Sequence, residues 1–167
     1  MSGLNRYLEF SVSDNTSVIV GATVAATAAQ YHVARAEGVA LTEDVERVAQ
    51  VLEQEYARIV EFAKKLLIQG DFKYIPIIIS DEKPEQDGPE GMESRLGAFF
   101  PSSKPHIEIY YRHADSHNAA AFRKCLAHEY LHYLHYVYAG AAFAKADRKL
   151  KEALADFFGV LYSIYRH

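Results

Sequence analysis

Apolar positions recur with two different periods along this chain, and the switch between them outlines the fold. Leu8, Phe10 and Val12 alternate with Glu9, Ser11 and Ser13, as on a half-buried strand. Asp14-Asn15 signals a turn. The apolar stretch from Val18 to Ala29 fits either a returning strand or an Ala-rich helix, and a helix is favoured over Ala25 to Glu37, ending at Gly38. From Thr42 the period is helical. Val45, Val48, Leu52, Ile59, Phe62 and Leu66 make one apolar stripe. Thr42 is placed to cap it, and Glu43 and Asp44 suit the positive end of its dipole. This helix is expected to reach about Gln69 and stop at Gly70.

Tyr74 to Ile79 reads as a buried strand, and Asp81 to Glu93 as a loop rich in proline, glycine and acidic residues. Leu96 to Phe100 and Ile107 to Tyr111 are short strands. The turn Pro101-Ser102-Ser103-Lys104-Pro105 between them predicts a hairpin. Asp115 or Ser116 can cap a helix running to about Tyr138, which Ala139-Gly140 ends. A last helix is expected from Asp147 to Tyr165. The pattern predicts an α+β fold. A small mixed sheet, with the 96–111 hairpin at its edge, should pack on the backing helix from Thr42 and on the helix that follows the hairpin. At 167 residues the chain suits one domain. Residues 1–70 form its N-terminal segment and backing helix, and residues 71–167 the sheet and last helices.

Charge and cysteine content narrow the partners. A net charge of −4 gives no electrostatic case for nucleic acid or an anionic membrane. The single cysteine, Cys125, cannot close an internal disulfide, which suits a reducing compartment. The first residues lack the layout of a signal peptide, and Val18 to Ala29 is too short to span a bilayer. The expectation is a cytoplasmic protein with no membrane or nucleic-acid partner.

The chemistry concentrates in His128-Glu129-Tyr130-Leu131-His132. Histidines four apart stack on one face of a helix, where both imidazoles can reach one metal ion. The glutamate beside the first is placed to take a proton from a metal-bound water. Zinc suits this set because it accepts neutral imidazole and needs no redox chemistry. A catalytic zinc site uses three protein ligands and leaves one position open, so a third ligand should lie downstream. Glu152 is the best candidate, with Asp156 one turn further on the same face. Asp156 could take the second ring proton of His128 and fix its tautomer. Two carboxylates among Ala153, Leu154, Ala155, Phe157 and Phe158 are hard to explain by packing alone.

HExxH followed on the next helix by Glu-x-x-x-Asp resembles the gluzincin metallopeptidases, and the interval from His132 to Glu152 has their short, thermolysin-like spacing. The likeness runs from about Tyr74 to Tyr165 and is closest to the single-domain minigluzincins. It implies a zincin-like fold, zinc ligands His128, His132 and Glu152, general base Glu129 and a supporting Asp156. It also implies an edge strand, Ile107-Glu108-Ile109-Tyr110, that binds an extended peptide. Leu126 to Tyr133 and Glu152 to Phe158 are similar as well to the ImmA/IrrE-type metallopeptidases. That family usually has glycine before its second histidine and asparagine where Asp156 stands. Metzincins would need glycine at 135 and histidine at 138, where this chain has His135 and Tyr138.

The expected function is therefore hydrolysis of a peptide or protein substrate by a zinc-dependent peptidase. The alternatives are a regulatory ImmA/IrrE-type protease with one target, or a latent zinc-binding protein acting as an interaction module. A zinc peptidase also needs a donor to the developing oxyanion, and Tyr138, Tyr162, Tyr165 and His167 are the candidates. His135 reads as an ordinary polar position of the helix, Cys125 as a small core residue, and His106, His113 and His117 as solvated histidines flanking the hairpin and helix start.

Overall fold

The computed structural model describes residues 32–36, 39–40, 42–67, 69–80, 96–111 and 119–166. The readings of 8–12, 18–29, 81–93, the helix cap at Asp115 or Ser116, and His113, His117 and His167 lie outside them. The order is β1 (Val33–Arg35), α1 (Glu43–Leu66), β2 (Ile77–Ser80), β3 (Gly97–Phe100), β4 (His106–Tyr110), α2 (Ala119–Ala139), α3 (Ala142–Lys145) and α4 (Arg148–Arg166). This is an α+β arrangement with one small mixed sheet. Among the described residues no helix is long and apolar enough to cross a membrane.

α1 starts as its sequence dictates. The Thr42 hydroxyl accepts from the Val45 amide at 3.2 Å, and the acidic first turn complements the dipole. Val45, Val48, Leu52, Ile59 and Phe62 are buried, each large side chain worth about 2 kcal/mol of apolar burial. Leu66, the last member of the stripe, instead stays exposed. Over Val33–Arg35 a strand, β1, stands where the helix from Ala25 was expected to continue. Val33–Arg35 pair in parallel with Ile77–Ile79. The Glu53 carboxylate of α1 accepts from the amides of both His32 and Val33 at 2.6 Å. Two charge-assisted bonds and a strand partner outweigh a modest alanine preference for helix.

The sheet order is β1-β2-β4-β3, with β3 and β4 antiparallel and the other pairs parallel. The hairpin sits at one side of the sheet, as its turn predicts. β4, however, is hydrogen-bonded to β2 on one side and β3 on the other. Ile107, Glu108, Ile109 and Tyr110 therefore do not form an edge strand, and the reading of that strand as a peptide-binding edge is withdrawn. Parallel pairing with β2 uses the backbone groups that a docking peptide would need. Gly97 is required where β3 passes α2. A Cβ there would lie 2.7 Å from the Glu108 carbonyl oxygen and 3.1 Å from Cys125 Sγ.

The helices are joined by a buried carboxylate. Glu55, on α1, accepts from the Tyr162 hydroxyl and, at 2.7 Å, from Arg166 Nε of α4. Arg123 Nε of α2 lies 3.3 Å away and Arg58 of α1 3.6 Å away. Burial and the bond to Glu55 raise the pKa of Tyr162, keeping its hydroxyl a donor. We predict that Glu55→Ala destabilises the chain by about 2 kcal/mol, because it leaves the buried Tyr162 hydroxyl and the partly exposed arginines without their acceptor. Urea unfolding followed by circular dichroism measures this, and a change of a few tenths would show that α4 docks without the carboxylate.

Candidate metal centre

The rotation of α2 is set from its far side. Tyr130, Tyr133 and Tyr136 pack toward the sheet. Their hydroxyls reach the Lys73 carbonyl at 3.0 Å, Asp71 Oδ2 at 3.3 Å and the Ser102 carbonyl at 3.1 Å. With that face fixed, His128 and His132 turn toward α4. Gly140, with φ of 57°, closes the helix in the left-handed conformation that glycine adopts without strain. Lys151 seats the start of α4. It is buried, donates to the Phe143 carbonyl of α3 at 3.1 Å, and lies 4.5 Å from the centroid of the Phe143 ring.

The two histidines and Glu152 then meet. His128 Nε2 and His132 Nε2 are 3.2 Å apart. Glu152 Oε1 lies 3.1 Å from His132 Nε2, and its Oε2 lies 3.1 Å from His128 Nε2. His128 Nδ1 lies 2.9 Å from Asp156 Oδ1. A carboxylate only accepts, so the ring proton of neutral His128 sits on Nδ1 and its Nε2 offers a lone pair. That lone pair faces a second imidazole nitrogen and a carboxylate oxygen. Such crowding of acceptors is unfavourable unless a cation sits among them.

The dimensions suit one. Four ligands at zinc's 2.0–2.1 Å bond lengths stand about 3.3 Å apart in a tetrahedron, close to the separations found here. Among the described residues these three form the group that can hold a metal ion, all ligand atoms lying within 4.8 Å of one another. Their protonation suits it too. Burial is the main cause lowering His132, and the neighbouring His128 adds to it. Burial alone would raise Glu152, but its close contacts with His128 and His132 outweigh it and bring the carboxyl to about 2. A neutral imidazole and an ionised carboxylate are the forms that bind a divalent ion.

Glu129 is fully buried beside the triangle, its Oε1 3.8 Å from His128 Nε2. Asp156 is largely exposed at its outer end. The expected quartet of His128, His132, Glu152 and Asp156 is thus brought together, with Glu129 alongside. Other candidates fall elsewhere. Tyr162 is committed to Glu55 and buried, so it is not an oxyanion donor. Tyr165 accepts from Lys65 at 3.1 Å and packs on Phe62. Tyr138 is exposed and borders an apolar groove shared with Leu131 and Leu154. The ring of His135 meets Phe143 edge-on, outside the triangle. His106 is not solvated. It is buried, pairs with Glu108 at 3.2 Å and stacks on Phe100. Lys151 was not anticipated as a positioning residue. Its signal was its place in the buried helical stripe of Lys151, Ala155, Phe158 and Tyr162.

A pH dependence follows for the metal-free chain. His132 binds its proton less readily when folded, so below its ordinary value of 6.5 the unfolded chain takes up more protons. Stability should therefore fall as pH drops from 7 toward 5 and recover as it rises. In His132→Gln that part of the slope should disappear, as thermal melts across the range would report. An unchanged slope would assign it to another group.

No family model, curated protein or solved structure matches this chain.

Proposed function

We propose that this protein is a zinc-dependent metallopeptidase of the gluzincin kind. The observation that carries the reading is the triangle of His128 Nε2, His132 Nε2 and a Glu152 oxygen, three electron-pair donors 3.1–3.2 Å apart around one point. Their mixture of two imidazoles and one carboxylate is a catalytic rather than a structural zinc set, because it leaves a fourth position for water or substrate. When bound, zinc would polarise a carbonyl and acidify a water at that position.

The chain's own residues would do the rest. Glu129, buried beside His128, takes a proton from the attacking water and returns it to the departing amine. Asp156 holds His128 in the tautomer that keeps Nε2 a ligand. Glu152 supplies the negative charge that offsets the dication. Hydrolysis of a peptide or protein is the reaction class this trio suits, and the lone, buried Cys125 fits a reducing compartment such as the cytoplasm.

One observation favours a latent form as the second reading. Glu129 has no exposed surface and His132 only 1%. A base so enclosed must be uncovered before it meets a peptide.

Elemental analysis after zinc reconstitution should find about one zinc per chain, lost in Glu152→Ala. Glu129→Gln should keep the metal and lose cleavage of a peptide library by at least about a hundredfold. Full cleavage by that variant would end the peptidase assignment. Zinc with no cleavage by the wild type would select the latent form.

A further inference from the structure

Beyond the metal centre, the feature of α4 that packing leaves unexplained is its outer face. Leu150, Leu154, Phe157, Leu161 and Ile164 follow one another at intervals of four and three, so they form one straight seam along the helix. Leu150, Leu154, Phe157 and Ile164 are exposed, Phe157 to 63% and Ile164 to 68%. The seam is not the face that builds the metal centre. At the helical advance per residue, Glu152 and Asp156 point roughly a third of a turn from the buried stripe and from this seam alike.

Beside the seam runs an open apolar groove of about 710 Å³ between the end of α1, α2 and α4. Leu66, Leu131 and Leu134 line its walls, and Tyr138, 78% exposed, stands at its border. Leu154, Phe157 and Leu161 of the seam form its α4 wall, so the face combines a largely exposed ring, Phe157, with the apolar recess that it borders.

We infer that a second copy of this chain docks on this face, through the α4 seam and the adjoining groove. Two observations select that occupant. First, the exposed members of the face leave on the order of 800 Å² of mainly apolar surface in water, one partner's share of a standard interface. That is larger than a monomeric protein usually shows. Second, a two-fold interface must be complementary to itself, and a patch that holds both knob and hole meets that condition. The seam itself carries no charge from Leu150 to Ile164, as the core of such an interface requires. Each Phe157 then fills the other copy's groove. Glu152, the candidate ligand on α4, faces away, so assembly does not depend on metal.

Sedimentation velocity on the full chain, from about 1 to 100 µM, tests this. The expected species has twice the 18.8 kDa mass of the chain. Phe157→Lys should weaken the dimer at least about tenfold. Ile164→Lys, at the far end of the seam and more exposed, should do the same, and it carries the test if the first variant loses its far-UV circular dichroism. A chain that stays at 18.8 kDa up to the highest concentration overturns the proposal and assigns the face to another occupant. So does a dimer that both substitutions leave intact.

Discussion

A single buried carboxylate decides how the helices of this protein lie. Glu55 gathers a hydroxyl and an arginine from α4 and an arginine from α2 onto α1. A lone carboxylate at that depth would be strongly disfavoured, and its donors would be too. Tyr162 and Arg166 satisfy it with hydrogen bonds, Arg123 adds a charge 3.3 Å away, and the geometry that serves them together is narrow. Apolar contacts between helices tolerate sliding, but hydrogen bonds between specific atoms do not. Fixing α4 against α2 at its C-terminal end leaves the N-terminal end to Lys151 and the Phe143 carbonyl. Between these two anchors lies Glu152.

The centre thus rests on unlike supports. His128 and His132 owe their relation to helix periodicity alone, whereas Glu152 owes its place to tertiary docking. Asp156 joins the two helices again from the solvent side. α4 consequently does three things with three faces: one packs on the core, one presents carboxylates to the histidines, and one stays apolar toward solvent. A helix so divided has few positions where substitution is neutral, and its short connection to α2 through α3 limits how far it can move.

The parts legible in the sequence are those written locally. The HExxH pair lies within one turn, the Thr42 cap within one turn of the residues it serves, and the Glu152–Asp156 pair within another. Helix ends at Gly140 and near Gly70 carry their own signals. What could not be read depends on distant partners. Val33–Arg35 is a strand because β2 and Glu53 make it one, and nothing between Ala25 and Glu37 announces either. The order of the sheet is similar. The hairpin was visible, but the insertion of β4 between β3 and β2 is a pairing across the chain, and it removed the strand thought to bind peptide. Tyr162 illustrates the same limit, since its chemistry depends wholly on finding Glu55. Glu55 did leave one sign, an acidic residue at a core position between Leu52 and Ile59 on the stripe of α1.

The spacing of these contacts along the chain also sets how much loop closure each requires. His132 and Glu152 are 20 residues apart, within one helical hairpin. Glu55 and its partners on α4 are separated by 107 and 111 residues. Local contacts close quickly, and distant ones wait for the loop between them to be ordered. The histidine–glutamate triangle therefore asks for little loop closure, whereas the Glu55 contacts that set α4 in place ask for far more.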